Sequence, residues 1–226
     1  GERLFVSLQR LDVTDGNNPG QAYLAVFDAQ TDSEIETGQG GALGLPGIPL
    51  PIKNPVKLQY LPAEQAIYIA GAGRYASSWS DTEAEYTGGI ARIDTQSYAV
   101  ELIVDDGAFL PGVSEPMQIV DVAVVNAEQG YLVAYAGWGD NRLLRFNPST
   151  GEIMAEATAG LHHRNIPTIA LDWHDRLWIG LADPEAPGIM IIATADDSIE
   201  ADLIDLGGLN PAGLGTKISF CHVPAE

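Results

Sequence analysis

The chain has 226 residues, with 31 Asp+Glu against 11 Lys+Arg for a formal charge of -20, 46% hydrophobic residues, 25 Gly, 14 Pro and one Cys. A chain of this length buries a core without disulfides or a structural metal, and an ordinary apolar fraction with no Gly triplet period excludes disorder and collagen. The acidic excess, with lysine only at 53, 57 and 217, repels nucleic-acid phosphates and anionic lipid, and the lone Cys221 excludes an intramolecular disulfide and any Cys-pair metal motif.

No stretch approaches the roughly 18 to 20 apolar residues of a membrane helix, so direct membrane insertion is not expected, and the first residues do not read as a signal segment. Leu4 to Leu8 is the first apolar run. Asp12 to Gly20 is rich in oxygen ligands but lacks the spacing and terminal Glu of an EF-hand, so it reads as a hairpin loop. Ala22 to Phe27 ends at the turn signal Asp28, and Glu34 to Glu36 follows. Gly38 to Pro51 is too apolar for an idle loop and is expected to pack over a face of the fold or against a partner.

From Pro55 onward a unit of four runs recurs. Its first run is Pro55 to Tyr60, Pro116 to Val122, Pro167 to Asp172, then Pro211 to Leu214 continuing to Phe220. A second run follows a polar turn (Ala66 to Ala70, Tyr131 to Tyr135, Leu177 to Gly180), and a third ends in Asp or Asn (Gly89 to Ile93, Leu143 to Phe146, Ile189 to Ile192). The fourth is Val100 to Val104, Glu152 to Glu156 and Ile199 to Ile204. Runs of this length, rich in β-branched and aromatic residues and bounded by Gly, Pro, Asn and Asp, are strands; no window carries a capped helical period. Four-stranded antiparallel units at this spacing predict an all-β propeller, a single domain over 1–226 of about four blades. The chain opens on a second strand and closes on a first one, so the two ends are expected to complete one blade between them, a velcro closure that removes an exposed edge. The same phase fits a portion of a larger propeller.

The segment Ile166 to Gly180, with Asn54-Pro55 and Asn210-Pro211, resembles the repeat of bacterial extracytoplasmic propellers, the YncE-like surface propellers and, more distantly, the gluconolactonase and strictosidine-synthase group. Leu143 to Glu152 resembles the outer hairpin of such blades. The resemblance implies a secreted, periplasmic or cell-surface location. In the gluconolactonase-like group one Glu, two Asn and one Asp on such loops hold a catalytic divalent metal. The matching positions here are Glu115, Asn165, Asn54 and Asn210, which would take Ca²⁺ or another divalent cation; no Asp stands at the fourth. Asn-Pro and Glu-Pro are also ordinary turn chemistry.

His162-His163 with Arg164 is the densest polar cluster and has ligands for a transition metal. Adjacent residues of an extended segment face opposite ways, and His174 is expected at the far end of the following strand. Tyr75, Trp79 and Tyr86 lie in a long connection between a second and a third strand, and Trp138 in the matching one; such aromatics suit contact with a ligand or partner, as does His163. No nucleophile elbow, phosphate loop or H-E-x-x-H motif is present. The leading expectation is a non-enzymatic binding or scaffold propeller that recognises a protein partner or small ligand on one face. A metal-dependent lactonase-like hydrolase is second, and a structural subunit of a larger assembly third.

Overall fold

The computed structural model describes residues 2–12, 18–41, 44–77, 81–108, 115–137, 139–157, 160–207 and 218. Contacts divide the chain into two compact units, Gly1–Ile119 and Val120–Glu226. The first holds β1 (Arg3–Leu8), β2 (Leu11–Asp12), β3 (Asn18–Pro19), β4 (Gln21–Asp28), β5 (Ser33–Glu34), β6 (Ile48–Lys53), β7 (Pro55–Leu61), β8 (Ala66–Gly71), β9 (Gly89–Asp94) and β10 (Val100–Asp105). Starting at the boundary, β11 (Gln118–Asn126), β12 (Gln129–Tyr135), β13 (Asn141–Phe146), β14 (Ile153–Glu156), β15 (Thr168–Leu171), β16 (Arg176–Leu181), β17 (Gly188–Ala193) and β18 (Ile199–Asp205) follow. A 3-10 turn, Pro62–Glu64, joins β7 to β8.

Sixteen of these strands form four four-stranded antiparallel sheets, and β2 and β3 pair as a two-stranded one. Three are simple meanders, β7 to β10, β11 to β14 and β15 to β18, in which each strand pairs with the next in sequence. In the first sheet β4 pairs with β1 on one side and with β5 and β6 on the other. The last predicted first strand, Pro211 to Phe220, and hence the expected closure, lies outside the described residues apart from Ile218.

In the first unit Leu24, Val26, Ile48, Leu50 and Ile52 of one sheet pack against Ile67, Ile69, Ala91 and Ile93 of the next. In the second unit Tyr131, Val133 and Leu143 meet Ile169, Leu177, Ile179, Leu181, Met190 and Ile192. Each of the Leu, Ile, Val and Met side chains contributes about 1.5–3 kcal/mol by leaving water. β6 is a strand that the sequence reading missed. Its Ile-Pro-Leu-Pro-Ile pattern alternates, with Ile48, Leu50 and Ile52 buried and Pro51 exposed, and proline is tolerated at such an edge because no ladder donor is needed there. The apolar character of Gly38 to Pro51 is thus met in part by the chain's own core.

The outer hairpins share one device. Asp28, Asp94, Asn147 and Asp196 end or follow a third strand and accept backbone N–H groups two or three residues on, at Gln30 and Thr31, Gln96 and Ser97, Ser149 and Thr150, and Ser198. These bonds lower the pKa of Asp28 and Asp94. The inner hairpin β15–β16 is closed by Asp172, buried at the strand end. Its Oδ1 accepts from the His174 and Arg176 N–H groups, and its Oδ2 from Arg176 Nε at 2.7 Å and Trp178 Nε1 at 2.9 Å. Burial alone would raise the Asp172 pKa, but the hydrogen bonds from Arg176, Trp178 and the backbone outweigh it and hold it at about 2.

Asp106, just after β10, is the opposite case. Its Oδ1 accepts from Gly88 N at 3.0 Å, while Oδ2 is buried with no partner among the described residues. A side chain at Gly88 would collide with Gly71 O and with this carboxyl, so glycine is required for the close approach. Burial pushes the Asp106 pKa up to about 7; the Gly88 bond lowers it and the charge of Asp105 raises it further.

The two carboxyls predict opposite pH dependences. Asp172, lowered in the fold, adds stability above its ordinary pKa near 4, and that contribution disappears as pH falls toward 2; Asp172→Ala should cost about 2–4 kcal/mol at neutral pH. Asp106, raised in the fold, stays protonated while the unfolded chain ionises, so it costs stability progressively from about pH 4 to 7 and by a constant amount above that. Urea melts should therefore show Asp106→Asn more stable than wild type at pH 8, with the gap closing by pH 4. Parallel curves would contradict the assignment.

Candidate functional site

Strand direction alternates in each meander, so residues preceding a first strand and the connection from second to third strand share one end of a sheet. Asn54 and the described residues of the connection from β8 to β9 occupy that end in the first unit. In the second unit it holds the turn before β13, the segment between β14 and β15, and the 182–187 connection. Hydrogen bonds join these pieces in the same way in both units: Ala72 N donates to Asn54 O at 3.0 Å and Ala182 N to Asn165 O at 2.9 Å.

The segment between β14 and β15 is fixed by apolar anchors. Leu161 and Ile166 are buried in the core of the second unit, and Ala157 N continues the ladder to Leu143 O. Between the anchors the chain turns tightly. Arg164 N bonds to Leu161 O, His163 takes φ of +60°, and Asn141 N bonds to Arg164 O at 3.1 Å. Asp183 completes the clamp, accepting from Arg164 Nε at 2.5 Å and from Asn165 N at 2.9 Å.

This turn brings the two histidines together. Their rings lie 3.9 Å apart at 38°, because the left-handed backbone at His163 breaks the alternation expected of an extended segment. The opposite-face expectation is therefore corrected. His163 Nδ1 lies 2.6 Å from Asp140 Oδ1, and His162 Nδ1 lies 3.1 Å from Glu156 Oε1, which also faces Arg142 at 3.5 Å. Asp140 is set by the turn ending β12, where its N–H bonds to Gly137 O and its carbonyl accepts from Ala136 N. One ligand atom from each of Asp140, His162 and His163 falls within 4.8 Å of the others. The His163 side chain is 66% exposed, so the group is open to solvent. His162 Nε2 is buried and has no partner among the described residues.

The remaining sequence candidates are placed as follows. Asn54 accepts from Gln9 Nε2 at 2.8 Å and donates to Gly73 O at 3.0 Å. Asn165, buried, faces Asn141 Nδ2 and Ala182 O, each at 3.4 Å. Both amides thus hold the loops they sit in. Glu115 is exposed ahead of β11. Tyr75 is 39% exposed beside the bridge that pairs Arg74 with Glu85. Asn210, Trp79 and Trp138 lie outside the described residues. His174 sits at the other end of β15, as expected. Sequence reasoning missed Asp140 and Glu156, whose separation along the chain gives no spacing signal.

A cleft of about 460 Å³ lies at the opposite end of the first unit, lined by Arg3, Phe5, Leu58, Tyr60, Ile67 and Thr95 among others. Arg3 is engaged there, donating to Thr95 O at 2.6 Å and lying 5.1 Å from the Tyr98 ring centre. It offers apolar volume with little converging chemistry.

No family model and no curated protein match the chain. Among solved structures it is similar to TolB from Acinetobacter baumannii, at 12% identity and a TM-score of 0.54, covering 91% of this chain and 42% of that one. It is also similar to hydrazine synthase from Kuenenia stuttgartiensis, at 13% identity and a TM-score of 0.52, covering 82% and 49%. A third is the allergen Mala s 1 from Malassezia sympodialis, at 12% identity and a TM-score of 0.50, covering 85% and 63%. The chain spans less than two thirds of the length of each of these structures. At these identities the likeness is one of fold, without a finer family: four four-stranded antiparallel sheets of the β-propeller type.

Proposed function

We propose that the chain is a non-enzymatic binding module, a propeller working outside the cytoplasm that recognises a small ligand or protein partner. The recognition surface is the loop end of the second unit carrying Asp140, His162 and His163. The observation that carries this reading is a solvent-open group of two imidazoles and a carboxylate, on two turns tied to a packed core through Leu161 and Ile166. Sites on rigid supports lose little entropy on binding, which is what a recognition surface requires. The other polar clusters, at Asp172, Asn54, Asn165 and Asp183, hold backbone in place. The extracytoplasmic placement rests on the acidic composition and on the resemblance of the repeat to surface propellers.

The hydrolase alternative needs Asn54, Glu115, Asn165 and Asn210 as cation ligands. Asn54 and Asn165 already clamp their own loops, so that reading stands second.

The test is thermal melting of wild type and an Asp140→Asn/His163→Asn double variant against a panel of sugars, dicarboxylates, peptides and lactones, in chelator and again with added metal. Asn is chosen at 163 because it tolerates positive φ. At least one compound should raise the wild-type midpoint by several degrees and leave the variant unmoved. Equal shifts in both proteins, or lactone turnover abolished by Glu115→Gln, would overturn the proposal.

A further inference from the structure

We infer that Asp140, His162 and His163 form a site for a divalent transition-metal ion, Zn²⁺ being the probe of choice, with Glu156 orienting His162. The inference deepens the binding reading above by naming what this surface takes.

The donor set points to the metal class. Two imidazole nitrogens and one carboxylate oxygen suit Zn²⁺, Cu²⁺ or Ni²⁺, whereas Ca²⁺ and Mg²⁺ require an all-oxygen shell. The orientation of His162 is the second, independent observation. Glu156 takes its Nδ1 at 3.1 Å, which fixes the ring and leaves Nε2 as the free nitrogen. That nitrogen is buried and unpartnered among the described residues. As a base it lacks a donor, and as an N–H it lacks an acceptor; a bound cation satisfies it. A carboxylate on the far nitrogen of a ligating histidine is the usual arrangement around such ions, since it sets the tautomer and raises ligand basicity.

The geometry is within reach of coordination. Bonds of about 2.0–2.1 Å to a tetrahedral ion separate neighbouring ligand atoms by about 3.3 Å. The present 2.6 Å contact between His163 Nδ1 and Asp140 Oδ1 would open by under 1 Å, and one ring nitrogen of each histidine already lies with an Asp140 oxygen inside a group no more than 4.8 Å across. His163 and Asp140 are exposed and free to make that adjustment, while the backbone beneath them is held by the Asn141–Arg164 bridge and the two core anchors. A formal charge of -20 concentrates cations at the surface and favours capture. Three protein ligands leave an open position, at which an exogenous donor atom completes the shell.

The experiment is calorimetric titration of the whole, chelator-stripped chain with ZnCl₂. One Zn²⁺ per chain is expected, with affinity falling at least tenfold in His163→Asn and in His162→Gln. Glu156→Gln, which removes no ligand, should weaken binding by about tenfold or more. His174→Gln, at the other end of β15, should bind as wild type, and circular dichroism should show all variants folded. Absence of saturable binding, or wild-type affinity in His162→Gln, would overturn the site. The two readings fail separately. Compound shifts that persist in chelator and vanish in the double variant would overturn the metal assignment and keep the binding surface. Zn²⁺ binding with no compound recognised, with or without metal, would support the metal assignment and overturn the broader reading.

Discussion

The structure depends on one constraint: the middle strands of its sheets are apolar on both faces. All six residues of β8 are buried, as are the central five of β12. A sheet of this kind has no solvent face, and within each unit two sheets cover one face of each other by sharing a core. Polar atoms drawn into such a stack must then be paired. The pairing is repetitive. Tyr23 donates to Glu34, Tyr68 to Glu64 and Tyr131 to Asp197, while Trp178 does the same through its indole to Asp172. Tyr68 and Tyr131 each stand opposite an arginine, Arg92 and Arg145, that also faces the same carboxylate. Burial and the adjacent carboxylate push Tyr23 and Tyr68 up to about 12, so these phenols remain donors throughout the physiological range.

Rigidity inside leaves the strand ends as the place for chemistry. The segment carrying the histidines is irregular, yet Leu161 and Ile166 sink into the same cluster as β16 and β17. The turn between those anchors is short, and a residue in the left-handed region is what lets it close. Two imidazoles become neighbours for that reason. Asp140 arrives independently on the preceding hairpin, held by its own turn. The site is therefore a product of two loops registered against each other by the sheet below them.

Much of the fold was legible because it follows from short-range rules. Alternation and β-branched content located the strand runs, and Asp or Asn after a third strand marked the outer hairpins because its side chain caps the next N–H groups. The Asp172-x-x-x-Arg176-x-Trp178 pattern reads as a blade signature for a physical reason: one carboxylate closes the hairpin through four donors. β6 was missed because Pro49 and Pro51 speak against a strand, and only pairing at a sheet edge overrides that. The site was half legible. Two histidines in a row drew notice, but their shared direction depends on a positive φ that no residue type at 163 announces, and Asp140 and Glu156 reach them only through tertiary pairing. Asn54 and Asn165 looked like converging ligands, whereas each also bonds the connection opposite it.

The most direct test of this account is X-ray absorption at the zinc edge on the Zn²⁺-loaded chain, which reports the donor atoms themselves. The account predicts two imidazole nitrogens with light oxygen donors at about 2.0–2.1 Å, and loss of the imidazole scattering in a His162→Gln/His163→Asn variant. An all-oxygen shell, or a histidine signal that survives in that variant, would contradict it.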